Sequence, residues 1–73
     1  MSRPVFVRGP VAGGVLVLHG ADGRQVGFAA HSAGRWVVSG LSGARLGDGR
    51  NFPRALAAAG MAVDPRSRIG GDL

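Results

Sequence analysis

Apolar and polar positions are most sharply patterned between residues 15 and 39, where the chain reads as three short strands joined by two tight turns. Residues 15–19 (Val-Leu-Val-Leu-His) form an apolar run of strand length. Asp22-Gly23 then supplies turn chemistry, because both residue types tolerate positive φ. Residues 24–31 give the second strand, 32–34 the second turn, and 35–39, carrying the only Trp (Trp36), the third strand. Period-two alternation sorts these residues onto two faces. Val26, Phe28 and Ala30 share the bulky face with Trp36 and Val38, and with Leu16 and Leu18; this face is expected to be the core. The opposite face is small and mixed. It takes Val15, Val17 and His19, then Gln25, Gly27, Ala29 and His31, then Arg35, Val37 and Ser39.

The flanks are punctuated differently. Residues 4–8 are short, β-branched and led by Pro4, which suits an edge strand. The Gly-Pro cluster at 9–14 predicts a loop. Residues 40–49 carry Gly40, Gly43, Gly47 and Gly49 and read as a long loop, with a short strand at 44–46 as an option and Leu41 and Leu46 tucked under the sheet. A helix follows, capped by Asn51 or Phe52, with Pro53 in its first turn and strong helix formers to Ala59. Gly60 is placed to end it in the left-handed conformation. The i, i+3, i+4 spacing of Phe52, Ala55, Leu56 and Ala59 gives its docking face and leaves Arg54 outside. Asp64 is read as capping a further helical turn. No internal repeat is evident. The expected architecture is α+β: a small antiparallel three- to four-stranded meander with one short C-terminal helix on one face, occupying residues 1–63, followed by a turn and flexible tail at 64–73.

Composition narrows the possibilities. A chain of 73 residues buries a small core, worth about 3–5 kcal/mol net, and such folds commonly need a staple. With no Cys, neither a disulfide nor a thiolate metal site is available. His19, His31 and four scattered Asp suggest no metal or cofactor site, which leaves good packing or self-association, such as a homodimer. All nine basic residues are Arg and all four acids are Asp, as a GC-rich genome would produce; the net charge of +5 is not explained that way. A basic surface favours anionic partners: nucleic acid, an acidic protein face or a membrane surface. No apolar run approaches the roughly 18 residues of a membrane span. The interrupted N-terminus does not open a signal peptide. The expected location is the cytoplasm, of a bacterium or of a phage-infected cell.

Catalytic constellations are absent from the pattern, and the protein is expected not to be an enzyme: there is no Cys or Glu, and His31-Ser32 lacks an orienting third group. The stretch 43–49 precedes a helix but lacks the GK[ST] ending of a phosphate loop and carries Asp48, so a flexible connector is the simpler reading. His19 and His31 fall on the mixed face at strand ends, too far apart for a shared metal. The strongest lead is the basic set Arg24, Arg35, Arg45, Arg50 and Arg54, with His31, which the turns, a strand end, the loop and the helix start place around the mixed face. Such a rim suits backbone phosphates. Trp36 is read as a core anchor under the helix.

The segment 34–59 resembles the three-stranded-sheet-plus-helix DNA-binding domains, the AP2-like domains and the arm-type domains of phage integrases. A turn Gly34 precedes Arg35-Trp36-Val37-Val38. Arg45-Leu46-Gly47 then closes a strand, and Phe52-Pro53-Arg54-Ala55 opens an Ala-rich helix. The resemblance covers about a third of the chain and implies that the open sheet face lies in the major groove, with Arg side chains reading bases or phosphates. The helix is shorter than in that family, and Val15, Val17, Ala29 and Val37 stand where the family tends to place more Arg. Two functions are therefore expected to compete. One is a small basic DNA-binding accessory protein of phage or mobile-element type. The other is a protein-interaction module, a homodimer or a phage-type inhibitor docking on a host protein, using Val15, Val17 and Val37.

Overall fold

The helix forms where the pattern places it. In a computed structural model, which describes residues 3–69, the Asn51 side chain accepts a hydrogen bond from the Arg54 backbone N–H at 3.0 Å and caps a helix, α1, over Phe52–Ala58. Gly60 follows at φ +75°, the left-handed conformation that favours glycine. At seven residues α1 is too short to persist alone, and it is held by burying Phe52, Ala55 and Leu56.

The sheet it covers is larger than the pattern suggests. Its strands are β1 (Arg3–Gly9), β2 (Leu16–His19), β3 (Gln25–Ser32), β4 (Arg35–Gly40), β5 (Arg45–Gly49), β6 (Met61–Val63) and β7 (Arg68–Ile69), with a 3-10 turn at Ala12–Gly14. The spatial order is β5-β4-β3-β2-β1-β6, and β7 also pairs with β1. β1 to β5 are joined by antiparallel pairing, whereas β6 and β7 run parallel to β1. The α+β class and the helix on one face stand; the antiparallel three- to four-stranded meander is corrected to a curled, mixed sheet, and the helix is followed by two further strands. α1 packs on β5 and β4 at one edge and on β6 at the other, so it bridges the open side of the curl. The core between them comprises Val5, Val7, Leu16, Leu18, Ala29 and Val38 from the sheet, with Phe52, Ala55, Leu56 and Met61.

Several expectations change for local reasons. β1 is not an edge strand, because β6 and β7 occupy its outer side. Residues 45–49 form a strand within the expected loop, overlapping the optional strand at 44–46 and extending it to Gly49, and their glycines serve close packing. A Cβ on Gly47 would lie 2.6 Å from the Ala59 nitrogen, and one on Gly49 would lie 2.8 Å from the Ala55 nitrogen. Leu41 and Leu46 are 61% and 42% exposed and are not under the sheet. Asp64 caps no helix. It closes a turn in which its Oδ1 accepts from the Arg66 N–H at 2.8 Å, and Ser67 Oγ then accepts from the Val7 N–H at 2.9 Å, filling the gap in the β1 ladder between β6 and β7.

The face assignment also shifts within β3. Pairing slips between Leu18 and His19, so that Leu18 faces Gly27 while His19 faces Gln25, with Val26 as the extra residue. Val26 packs against the core, yet beyond the bulge Ala29 is fully buried. Phe28, expected in the core, is 37% exposed on the far face, and Ala30 shares that face opposite Val37. A second bulge at Leu46, between the Val38 and Ser39 pairings, has the same form. The turns before the two bulges match as well. Gly20 N–H donates to the Arg24 carbonyl at 2.8 Å, and Gly40 N–H to the Ala44 carbonyl at 2.9 Å. Gly23 N–H donates to Gly20 at 3.0 Å, and Gly43 N–H to Gly40 at 2.9 Å. Asp22 and Ser42 each accept from the backbone N–H two residues on. Residues 17–27 and 37–47 are thus one hairpin design used twice, a repeat that the sequence carries in Val17/Val37, Gly20/Gly40, Gly23/Gly43 and Gly27/Gly47, where none was expected.

Gly47→Ala is expected to cost about 3 kcal/mol, the upper part of the overpacking range, and so to remove most of the protein's stability. Gly40→Ala, whose Cβ would meet nothing closer than 3.7 Å, should change stability by less than about 0.5 kcal/mol. Urea titration followed by Trp36 fluorescence separates the two.

Candidate nucleic-acid interface

With α1 on the inner face, the outer face of the sheet is left open. Backbone pairing aligns one row of side chains across five strands: Arg8 on β1, Val17 on β2, Phe28 on β3, Ser39 on β4 and Arg45 on β5. Four interstrand steps of about 4.8 Å separate its ends by about 19 Å. The row is apolar in the middle and cationic at both ends. Beside it lie Ala30, Val37 and Asp48 as a second row, and Phe6 and His19 as a third.

One end of the face is built around Asp48. Its Oδ2 lies 3.5 Å from Arg35 Nε and 3.9 Å from Arg45 Nη1, so one carboxylate serves two guanidiniums and a positive charge is left over. All three side chains are substantially exposed, and surface pairs of this kind contribute only about 0–1 kcal/mol. They orient the arginines without committing them.

The other end lies at β1. Phe6, Arg8, His19, Gly20, Arg66 and Ser67 line an open cleft of about 470 Å³. Arg66 is fixed on two sides: its Nε and Nη2 donate to the Asp64 carboxylate at 3.1 and 3.2 Å, and its Cζ sits 5.1 Å from the centre of the Phe6 ring, a cation–π contact. The side-chain hydrogen bond from Arg66, followed by the backbone one, holds the Asp64 carboxyl below its ordinary value of 3.8; the same bond raises Arg66. Among the described residues, Arg8 is exposed and makes no ion pair.

The residues expected from sequence to form the site are only partly assembled. Arg35 and Arg45 meet at Asp48. Val17 and Val37 lie half-buried on the same face, and Val15, also half-buried, immediately precedes β2. Arg24 stands on the β2–β3 turn, 3.8 Å from Asp22. Arg50 lies between β5 and α1, and Arg54 on the exposed side of the helix. The five arginines therefore do not converge on one rim. His31 does not share a face with His19: it follows the inner parity of Ala29 and stacks on Trp36 with ring centroids 5.3 Å apart, and Trp36 in turn packs on Phe52 at 5.3 Å. Phe6, Arg8, Phe28 and Arg66 were not expected at the site. The alternation of Phe6 with Arg8 between Val5 and Val7 was a usable signal; for Phe28 the signal was the glycine spacing around Val26, which recurs around Leu46 and marks a bulge only once the two are compared.

No family model, curated protein or solved structure matches this chain. Among the described residues, no group of three or more His, Cys, Asp or Glu could hold a metal ion, and no helix is long and apolar enough to cross a membrane. Function must be argued from the face itself.

Two predictions concern its acids. Asp48→Asn should change stability by less than about 1 kcal/mol in a urea titration, as expected for exposed pairs. Asp64 has a depressed folded-state pKa, so its stabilising contribution is present above 3.8 and is lost as pH falls through the lower folded value. Asp64→Asn, which keeps the turn acceptor but not the charge, should melt below the wild type near neutral pH, and the gap should close on acidification. A gap that persists in acid would show that the ion pair is not its source.

Proposed function

We propose that this protein binds nucleic acid, DNA in the first instance, through the open outer face of its sheet, and works as a small basic accessory protein. The row from Arg8 to Arg45 carries this reading. It places cationic groups at both ends of a row whose middle is uncharged, the arrangement that lets phosphates set position while the centre meets the bases. The net charge of +5 adds a long-range attraction of the right sign. The reading keeps one implication of the resemblance to sheet-and-helix DNA-binding domains: the uncovered sheet face meets the nucleic acid and the helix supports it from behind.

The exposed Phe28 between Val17 and Ala30 favours a second reading, in which a second copy of the chain covers the same face. Charge argues against it. Face-to-face pairing brings Arg-bearing margins together, and the acids at those margins, Asp48 and Asp64, are already engaged by arginines. Neutralisation by phosphate removes that conflict.

Binding of a labelled DNA is expected to weaken steeply with salt. Arg35→Gln with Arg45→Gln should lower affinity and flatten the log–log salt slope by about 0.7–0.9 per lost phosphate contact, with the urea midpoint nearly unchanged. Asp48→Asn should tighten binding by removing the competing carboxylate. Binding that is unaltered in the double variant excludes this face. A salt-insensitive dimer that Val17→Asp or Val37→Asp dissociates, with no DNA complex, moves the function to the second reading.

A further inference from the structure

We infer that the ligand is a single strand, laid across the β-strands from Arg8 to Arg45 with a base stacked on Phe28. This inference rests on the nucleic-acid reading above and narrows it. The centre of the face is made by Val17, Phe28, Ala30 and Val37, with Ser39 as the hydroxyl among them. A duplex groove presents base edges as rows of donors and acceptors. Four apolar side chains satisfy none of them, so docking a groove here would strip water from base edges and give nothing back. A single strand offers the faces of its bases instead, and any base can stack on an aromatic ring.

Geometry agrees. Phe28 is a large ring on the open side of the sheet, 37% exposed although its strand lies in the middle of the sheet. It occupies the midpoint of the row, two strands from Arg8 and two from Arg45, so the Cα atoms of both arginines lie about 10 Å from its own by strand spacing. A backbone crossing the strands would meet a cation on either side of the stacked base. One row away, Phe6 lines the cleft with Arg8 and His19 beside it. There Arg66 lies over the ring, adding a guanidinium plane at the cleft wall. The face therefore carries two aromatic rings, Phe28 between the cationic ends of its row and Phe6 beneath Arg66, as a surface for a flexible anionic polymer with π-faced side groups requires. Because stacking asks nothing of the sugar, oligo-dT and oligo-U share the chemistry that the face recognises.

Fluorescence anisotropy tests this with the full chain and four labelled probes at low salt: oligo-dT, oligo-U, a mixed-sequence single strand, and that strand in duplex with its complement. The single strands should bind at least about tenfold tighter than the duplex. Phe28→Leu, which keeps apolar area but removes the π-face, should lose about 5- to 150-fold on single strands, the worth of one stacked base, with little change on duplex. Phe28→Trp should retain binding, and its single-strand affinity tests the idea even where Phe28→Leu is found by urea titration to be destabilised. Stacking alone gives oligo-dT and oligo-U similar affinity, and a preference that persists when oligo-dU replaces oligo-dT reports contacts to the sugar and so separates DNA from RNA as the source of the strand. Duplex binding as tight as single-strand binding, or a Phe28→Leu protein that binds like the wild type, overturns the single-strand inference and leaves the nucleic-acid reading standing. No complex with any probe at low salt overturns both.

Discussion

The structure depends on the close contact between a helix backbone and two glycines. Gly47 and Gly49 on β5 present bare backbone to Ala55, Ala58 and Ala59 of α1 and its C-terminal end, with room for no Cβ. That approach seats Leu56 and Phe52 deep enough to complete the core. It also sets the path of the chain that follows. Gly60 reverses direction, Arg3 N–H donates to the Gly60 carbonyl at 2.9 Å, and Met61 enters the core as β6 docks beside β1. In a domain whose net stability is only about 3–5 kcal/mol, a helix of two turns cannot stand off from its sheet. Small residues on both partners convert a weak helix into a strut between the two edges of the curl.

The same strut determines which face is available. α1 bridges β5, β4 and β6 on one side, so the inner face is spent on the core and the outer face is uncovered. The paired bulges then decide what the outer face carries. Each inserts one residue before a glycine, and in β3 the insertion sends Ala29 inward and Phe28 outward. A small residue is thereby placed where the helix and neighbouring strands crowd the interior, and the large aromatic where there is space. Gly27 follows the bulge directly, and a Cβ there would strike the Ser39 carbonyl, so β3 and β4 can approach this closely only with glycine at that position.

What could be read from the residues divides along physical lines. The helix was legible to its cap, its C-terminal glycine and its buried face, because each of these rests on interactions within a few positions. The strands from 15 to 39 were legible as strands for the same reason. Their faces were not, since period-two alternation assumes an uninterrupted ladder and a single inserted residue inverts everything beyond it. β5 was hidden because glycine reads as flexibility when its role is to admit another backbone. β6 and β7 are three and two residues long, and their partner strand lies at the other end of the sequence. At the site, Arg35 and Arg45 were visible as charge. Their meeting at Asp48, and their alignment with Arg8 through Phe28, require the register.

The electrostatics of the two margins differ in a way that bears on the proposed binding. At β1, Arg66 is tied by two hydrogen bonds to a nearly covered carboxylate and leans on an aromatic ring, so its position is part of the fold. At β5, Arg35 and Arg45 share a half-exposed carboxylate at distances too long for good hydrogen bonds. Exchanging Asp48 for a phosphate forfeits little there, since the existing pairs are screened and weak, while the phosphate offers more acceptor oxygens to both guanidiniums. One margin is therefore preorganised and the other is held ready, with the apolar row between them fixed by the core beneath. On the proposed reading, a face so built would order few side chains of its own on binding, which lowers one of the costs of association.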